Sequence, residues 1–178
     1  LQSANEIYQI QPFLPSDYIS SAFRFASIAR RHSRARVGED GVFRLALRAG
    51  ERSAGFSSLR GYAARSLEWE VQCEGESEGD KRGARAEAGV EDSRGARLTV
   101  DLLSGRATDE ANRVEHLWHG ETRRLRLKLD LEKKKLLVAR GEEDGWKPAF
   151  RLRGDVGYAP VVGTNCKDTT LVVRFEEI

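Results

Sequence analysis

The 178-residue chain has no Met, only two Cys and four Pro, and no long apolar run. A transmembrane helix needs about 20 consecutive apolar residues, so none is expected. Two cysteines, Cys73 and Cys166, are too few for a disulfide framework or a four-thiolate zinc site. Cysteines left unpaired are more typical of an intracellular protein. The lack of Met even at position 1 predicts a processed chain or a piece of a longer one.

Neither sign of charge prevails, since 30 Lys and Arg stand against 28 Asp and Glu, a formal net charge of +2. A dedicated nucleic-acid binder has a clear basic excess, so that class is not favoured. The balance nevertheless hides a basic cluster formed by Arg30, Arg31, Arg34 and Arg36. Because phosphate contacts need only positive charge, this cluster predicts a secondary contact with RNA or with an acidic neighbour.

Apolar and polar residues alternate along much of the chain. In 67–73, Leu, Trp, Val and Cys alternate with Glu and Gln, and in 125–131 four leucines alternate with charged residues. A period of two is typical of a strand with one buried and one wet face. Further strands are predicted over 43–47, 84–90, 98–102, 136–140, 158–162 and 171–175. This series, with turns between its members, predicts an all-β fold, either a sandwich or a barrel, with Trp69 in its core.

One or two short helices are also predicted. The first is 16–31, opened by Ser16-Asp17, although the strand-like segment 23–25 competes with it. The second is 107–118, opened by Thr108-Asp109-Glu110, which resembles a helix cap. We therefore expect an N-terminal extension or the first strands, partly helical, over 1–40, and the sandwich itself over 41–178.

Short motifs follow one another in a recognisable order from about residue 60 to residue 178. They are LEWEV at 67–71, AEAGV at 86–90, LDL at 129–131, WKPAF at 146–150, GYAPVV at 157–162 and LVVRF at 171–175. This order resembles the SPRY (B30.2) family. The resemblance implies a bent, concanavalin-like jelly roll of two antiparallel sheets. It also implies a non-catalytic module that binds another protein through loops at one edge.

The predicted binding surface consists of the loops 31–40, 74–83, 104–112 and 141–147. Binding energy at protein interfaces concentrates in Trp, Tyr and Arg side chains. The expected partner-binding residues in or near these loops are Trp118, Trp146, Arg123, Glu143 and Asp144.

No set of residues predicts catalysis, so we expect no enzymatic activity, no metal and no cofactor. Cys73 shares the apolar face of 67–73 and is expected in the core as an inert thiol, whereas Cys166 lies in a turn-like stretch and is expected to be exposed. His116 and His119 are three residues apart and could share a metal on a helix. We favour a different interpretation over a metal site, namely that both histidines face solvent around a buried Leu117 or Trp118.

Two alternatives to a protein-binding module stay open. The run WHGETR at 118–123 is similar to the W-G-x-E-x-R sugar site of galectins, with a histidine inserted and without the upstream partner strand. This similarity leaves carbohydrate binding as one alternative. The other is a subunit of a larger, RNA-containing assembly that docks through the basic cluster.

Overall fold

The computed structural model describes residues 18–21, 36–37, 43–47, 54–58, 66–75, 83–141 and 144–175. Fourteen strands are found in them: β1 (Tyr18–Ser21), β2 (Arg36–Val37), β3 (Phe43–Ala46), β4 (Ala54–Ser58), β5 (Leu67–Gly75), β6 (Ala86–Asp92), β7 (Arg97–Asp101), β8 (Arg106–Thr108), β9 (Val114–His116), β10 (Arg124–Asp130), β11 (Lys135–Arg140), β12 (Lys147–Arg151), β13 (Tyr158–Thr164) and β14 (Thr169–Phe175). The described residues include no helix, and hence none that could cross a membrane.

The strands form two antiparallel sheets of seven. The first sheet has the order β1-β4-β13-β6-β7-β8-β9, and the second has the order β12-β11-β10-β5-β14-β3-β2. The predicted all-β sandwich is confirmed, and each of the eight predicted strands overlaps an observed one. β1 and β2 come from the first 40 residues and pair with β4 and β3.

The core lies between the two sheets and follows the predicted alternation. On β5 and β10, Trp69 stands opposite Leu127 and Val71 opposite Leu125, and all four side chains are at most 2% exposed. Directly opposite residues of antiparallel strands share a face, so this register places both apolar faces inward. Most outward residues of the same strands are charged, and Arg124 pairs with Glu70 at 2.7 Å.

The helix predicted over 107–118 is wrong, because this segment forms β8, a tight turn and β9. The Asp109 side chain accepts hydrogen bonds from the backbone N–H groups of Ala111 and Arg113, at 2.9 Å each. Asn112 adopts a left-handed φ of 60°. Asp caps a turn by the same bonds with which it caps a helix, so the residue type alone did not separate the two. Of the other predicted helix, 16–31, residues 18–21 form β1 and the rest lie outside the described residues.

The connections gather at two opposite ends of the sandwich. Those that follow odd-numbered strands meet at one end, here called the proximal end; its described parts include 102–105, 117–123, 144–146 and 165–168. Those that follow even-numbered strands meet at the distal end, as 93–96, 109–113, 131–134 and 152–157 do. The loop predicted over 104–112 is therefore divided by β8, since 104–105 is proximal and 109–112 is distal.

Candidate functional site

The connection 117–123 is fixed to both sheets at the proximal end. The backbone N–H of Thr122 donates to the Leu102 carbonyl, and the Arg123 carbonyl accepts from the N–H of Cys73, each at 2.8 Å. From β12, the edge strand of the second sheet, Lys147 Nζ donates to the Leu117 carbonyl at 2.7 Å. These bonds give the connection a defined shape although it contains no strand.

Trp118 belongs to this connection, and its side chain is only 9% exposed. The indole lies against the backbone of Gly105, where an added Cβ would stand 2.8 Å from ring atoms Cδ1 and Nε1. The Arg140 guanidinium lies 5.5 Å from the ring centroid. Trp118 was predicted as a partner-binding residue, but the structure buries most of the ring. The indole can therefore form one wall of a binding site but offers little open surface. The expected arrangement of two exposed histidines around a buried Leu117 and Trp118 is confirmed.

Trp146 is half-buried beside the outer face of the second sheet. The Arg126 guanidinium lies 4.9 Å from its ring centroid, and Lys128 Nζ lies 6.0 Å from it. Arg126 also donates from Nε to the Gly141 carbonyl at 2.8 Å and from Nη2 to the Asp144 carbonyl at 3.2 Å. A cation on an aromatic face adds about 0.5–1 kcal/mol at a partly exposed site. Arg126 thus holds the described ends of the β11–β12 connection on β10.

A cavity of about 190 Å³ opens where these two connections meet. We call it the Trp118 pocket; it is lined by Trp118, Leu117, Val138, Ala139, Arg140, Asp144, Gly145 and Lys147. Arg140 Nε donates to Asp144 Oδ2 at 3.0 Å. The pocket therefore combines an apolar wall with an ion pair and an ammonium group. This set suits a side chain with an apolar body and a polar tip.

The structure brings together only some of the predicted binding residues. Trp146 and Asp144 flank or line the Trp118 pocket, whereas Arg123 lies apart from it, paired with Glu121 at 3.0 Å and bonded to the Gly75 carbonyl. Glu143 and, from the basic cluster, Arg30, Arg31 and Arg34 lie outside the described residues, while Arg36 lies in β2. Sequence reasoning missed Arg126, Arg140 and Lys147. Arg140 and Lys147 stand at strand ends and Arg126 is an outward residue within β10, so in the sequence each reads as an ordinary surface charge.

Both cysteines are buried and neither forms a disulfide. Cys73 is 3% exposed, as predicted, and burial raises the pKa of its thiol to about 12, so it is inert. Cys166, predicted to be exposed, is fully buried. The Asn165 side chain explains this, since its Oδ1 accepts from the Arg85 N–H and its Nδ2 donates to the Gly83 carbonyl, each at 2.7 Å. These bonds fix the turn on the segment that leads into β6 and direct the next residue, Cys166, inward.

The two histidines do not form a metal site in the described part of the chain. His116 and His119 stack with ring centroids 5.1 Å apart, and both are exposed. The described residues contain no group of three or more His, Cys, Asp or Glu that could hold a metal ion. The stacked pair is thus a surface feature beside the Trp118 pocket.

Glu87 is the most perturbed carboxyl group near the proximal end. It stands opposite Asp101 on the outer face of the first sheet, and its side chain is 14% exposed. Burial is the main cause that raises the pKa of Glu87 to about 7, and the Asp101 charge adds to it. Arg85, 3.7 Å away, and Arg97 act in the opposite direction without cancelling the effect.

This raised pKa predicts a pH dependence of stability. The folded state binds the Glu87 proton more tightly than the unfolded chain does. The resulting stabilisation is complete below the unfolded pKa, about 4.5, and is lost as the pH rises through about 7. We expect Glu87→Gln to unfold like wild type near pH 4 and to be more stable by about 3 kcal/mol near pH 8, because each unit of pKa difference is worth about 1.4 kcal/mol. Urea unfolding at both values measures this, with exposed Glu132→Gln as control. A gap between wild type and Glu87→Gln that does not change with pH would contradict the prediction.

Comparison with known proteins places this geometry in a known fold. No protein-family model and no curated protein matches the chain. Among solved structures, the SPRY domain of human HERC1 superposes with a TM-score of 0.56 at 16% identity, over 81% of this chain and 92% of that one. The TRIM65 PSpry domain gives 0.54 at 16% identity, over 90% and 93%.

A lectin is also similar at the level of the sandwich. Lectin I from Ulex europaeus gives a TM-score of 0.50 at 11% identity, over 90% of this chain and 96% of that one. The two SPRY domains give the higher scores of the three, and the motif order in the sequence resembles the same family. The chain has the SPRY-like fold that its sequence predicted.

Proposed function

We propose that this chain is a non-catalytic protein-interaction module that holds a segment of a partner protein at the Trp118 pocket. The observation that carries the proposal is the pocket itself, in which two connections at one end of the sandwich enclose an apolar wall and oppositely charged groups. Aromatic and Arg side chains in a partly desolvated pocket are the usual source of binding energy at protein interfaces. The SPRY-like fold supports the same function. The absence of a disulfide between the two cysteines supports an intracellular setting.

The alternatives receive less support from the site. A galectin-like site needs an open indole face for the sugar ring, but Trp118 is 9% exposed and Arg140 lies over it. The Glu121–Arg123 ion pair of that motif is present at 3.0 Å. For an RNA-containing assembly, the basic cluster lies almost wholly outside the described residues and stays a sequence prediction.

The test compares two arginines that have the same kind of partner at opposite ends of the sandwich. Arg140 pairs with Asp144 at 3.0 Å in the Trp118 pocket, and Arg153 pairs with Asp155 at 3.2 Å at the distal end. Wild type, Arg140→Glu and Arg153→Glu are immobilised, and proteins captured from the native source are quantified by mass spectrometry. We expect Arg140→Glu to reduce capture of the specific partner by about tenfold or more, because a repulsive charge enters the contact, and Arg153→Glu to retain it.

Two further results would contradict the proposal. Equal capture by Arg140→Glu and Arg153→Glu would show that the Trp118 pocket does not bind the partner. Capture that disappears with ribonuclease and falls steeply with salt would favour the RNA-containing assembly instead.

A further inference from the structure

A second concavity lies between the edge strands of the two sheets, away from the Trp118 pocket. It has a volume of about 450 Å³ and is here called the edge cleft. β9 pairs only with β8 and β12 only with β11, so in the described chain each leaves one backbone edge facing the cleft. The bond from Lys147 Nζ to the Leu117 carbonyl lies between the two concavities.

The lining of the edge cleft is partly apolar. Leu98 and Ala107 come from the first sheet, and Ala149 and Phe150 from the second. Leu98 and Ala107 are buried, whereas Ala149 and Phe150 are half-buried. Val114 borders the cleft from the face of β9 opposite to that of Glu115; it is 43% exposed and is the one large hydrophobic side chain found exposed among the described residues. The apolar area that a partner side chain would remove from water is therefore mainly that of Ala149 and Phe150.

Charged side chains surround the apolar surface of the cleft. Asp109, Glu110 and Glu115 line it, together with Arg113 and Arg151. Glu115 stands opposite the buried Ala107 and so shares the inward face of the first sheet. In the described part of the chain, no ion pair within 4 Å joins these carboxylates to Arg113 or Arg151. Acidic groups outnumber basic ones, and one of them points over the apolar floor.

The two edges are poorly suited to pairing with an added strand. Pro148 removes a backbone donor from β12, and an inward-pointing charge on an edge strand opposes sheet extension, as Glu115 does on β9. The occupant that fits is a long side chain. Lys and Arg have an aliphatic stem that packs on apolar surface and a charged head that reaches a carboxylate.

We propose that the edge cleft is a second docking site, which takes a lysine or arginine side chain from a basic, apolar segment of a partner protein. The stem lies on Phe150 and Ala149, and the head meets Glu115, with Glu110 and Asp109 adding negative potential. Charge complementarity selects this occupant, because an acidic segment would bring like charges onto Glu115. The site is separate from the Trp118 pocket and does not depend on the function proposed for it.

The probe is a short fluorescein-labelled peptide of alternating leucine and arginine, titrated with the full chain and followed by fluorescence anisotropy. The same peptide with glutamate in place of arginine is the counterpart. We expect saturable binding of the arginine peptide alone, weakened about tenfold or more by Glu115→Lys and also by Glu110→Lys. Glu132→Lys, an equal charge change at an exposed distal position outside the cleft, is expected to change the affinity less than about threefold, and Arg140→Glu is expected not to weaken it.

Each other outcome overturns the proposal. If the arginine peptide does not bind, the edge cleft is not a docking site for basic side chains. Equal binding of the two peptides, or an equal loss in Glu115→Lys and Glu132→Lys, shows non-specific attraction. Because Glu115 and Glu110 are exposed, thermal melts of their variants are expected to match wild type. Failure at the edge cleft leaves the Arg140 experiment unaffected, since the variants lie in different concavities.

Discussion

Replacing Trp69 by Ala is expected to lower the free energy of unfolding by about 3–5 kcal/mol. Trp69 is 2% exposed and stands on β5, a central strand of the second sheet, opposite Leu127 of β10. Truncation removes its transfer free energy and leaves a cavity between two sheets that cannot collapse freely. Because small domains have a total stability of about 5–15 kcal/mol, the loss would shift the denaturant midpoint strongly. Urea unfolding monitored by circular dichroism measures it.

Trp146→Ala is the matched control for this prediction. Its ring is half-buried and lies beside Arg126 and Lys128 on the outside of the second sheet. The same truncation should therefore cost about 1 kcal/mol, the range of a lost cation–π contact with some surface packing. Equal losses for the two variants would contradict the inward register of β5.

The strands could be predicted because burial of one face imposes a period of two. If the pairing of β5 with β10 shifted by one residue on either strand, Trp69 or Leu127 would turn outward. The alternation of apolar residues therefore determines the register. The sequence did not show which strands are neighbours, since β5 pairs with β10 and β14 across long stretches of chain. The resemblance of the motif order to the SPRY family supplied the two-sheet architecture instead.

The candidate site could be predicted only in part. Asp144 and Trp146 are close in sequence, and a shared loop followed from that. Arg140 and Lys147 stand at strand ends, where a charged residue ordinarily meets water, and their approach to Trp118 depends on a long-range contact. The same limit applies to Cys166, whose burial depends on bonds from Asn165 to residues about 80 positions away.

The position of Trp118 depends on Gly105, which ties the β7–β8 and β9–β10 connections together. The Gly105 N–H donates to the Asp101 carbonyl at 2.8 Å, and its carbonyl accepts from the Leu117 N–H at 2.9 Å. Gly105 has a φ of 76°, and an added Cβ would collide with the Trp118 carbonyl oxygen as well as its ring. Both backbone conformation and space thus require glycine here.

Gly105→Ala is therefore expected to destabilise the protein by about 3–4 kcal/mol, of which roughly 1–2 kcal/mol is the left-handed conformation and the rest the displacement of Trp118. Gly95→Ala separates the two contributions, because Gly95 has a φ of 85° with nothing within 4 Å of an added Cβ. It should cost only the conformational part, about 1–2 kcal/mol. Urea unfolding of both variants gives the difference, and equal losses would refute the close packing. Since Trp118 forms a wall of its pocket, Gly105→Ala should also weaken partner capture where Gly95→Ala does not, which links the backbone of one connection to binding at another.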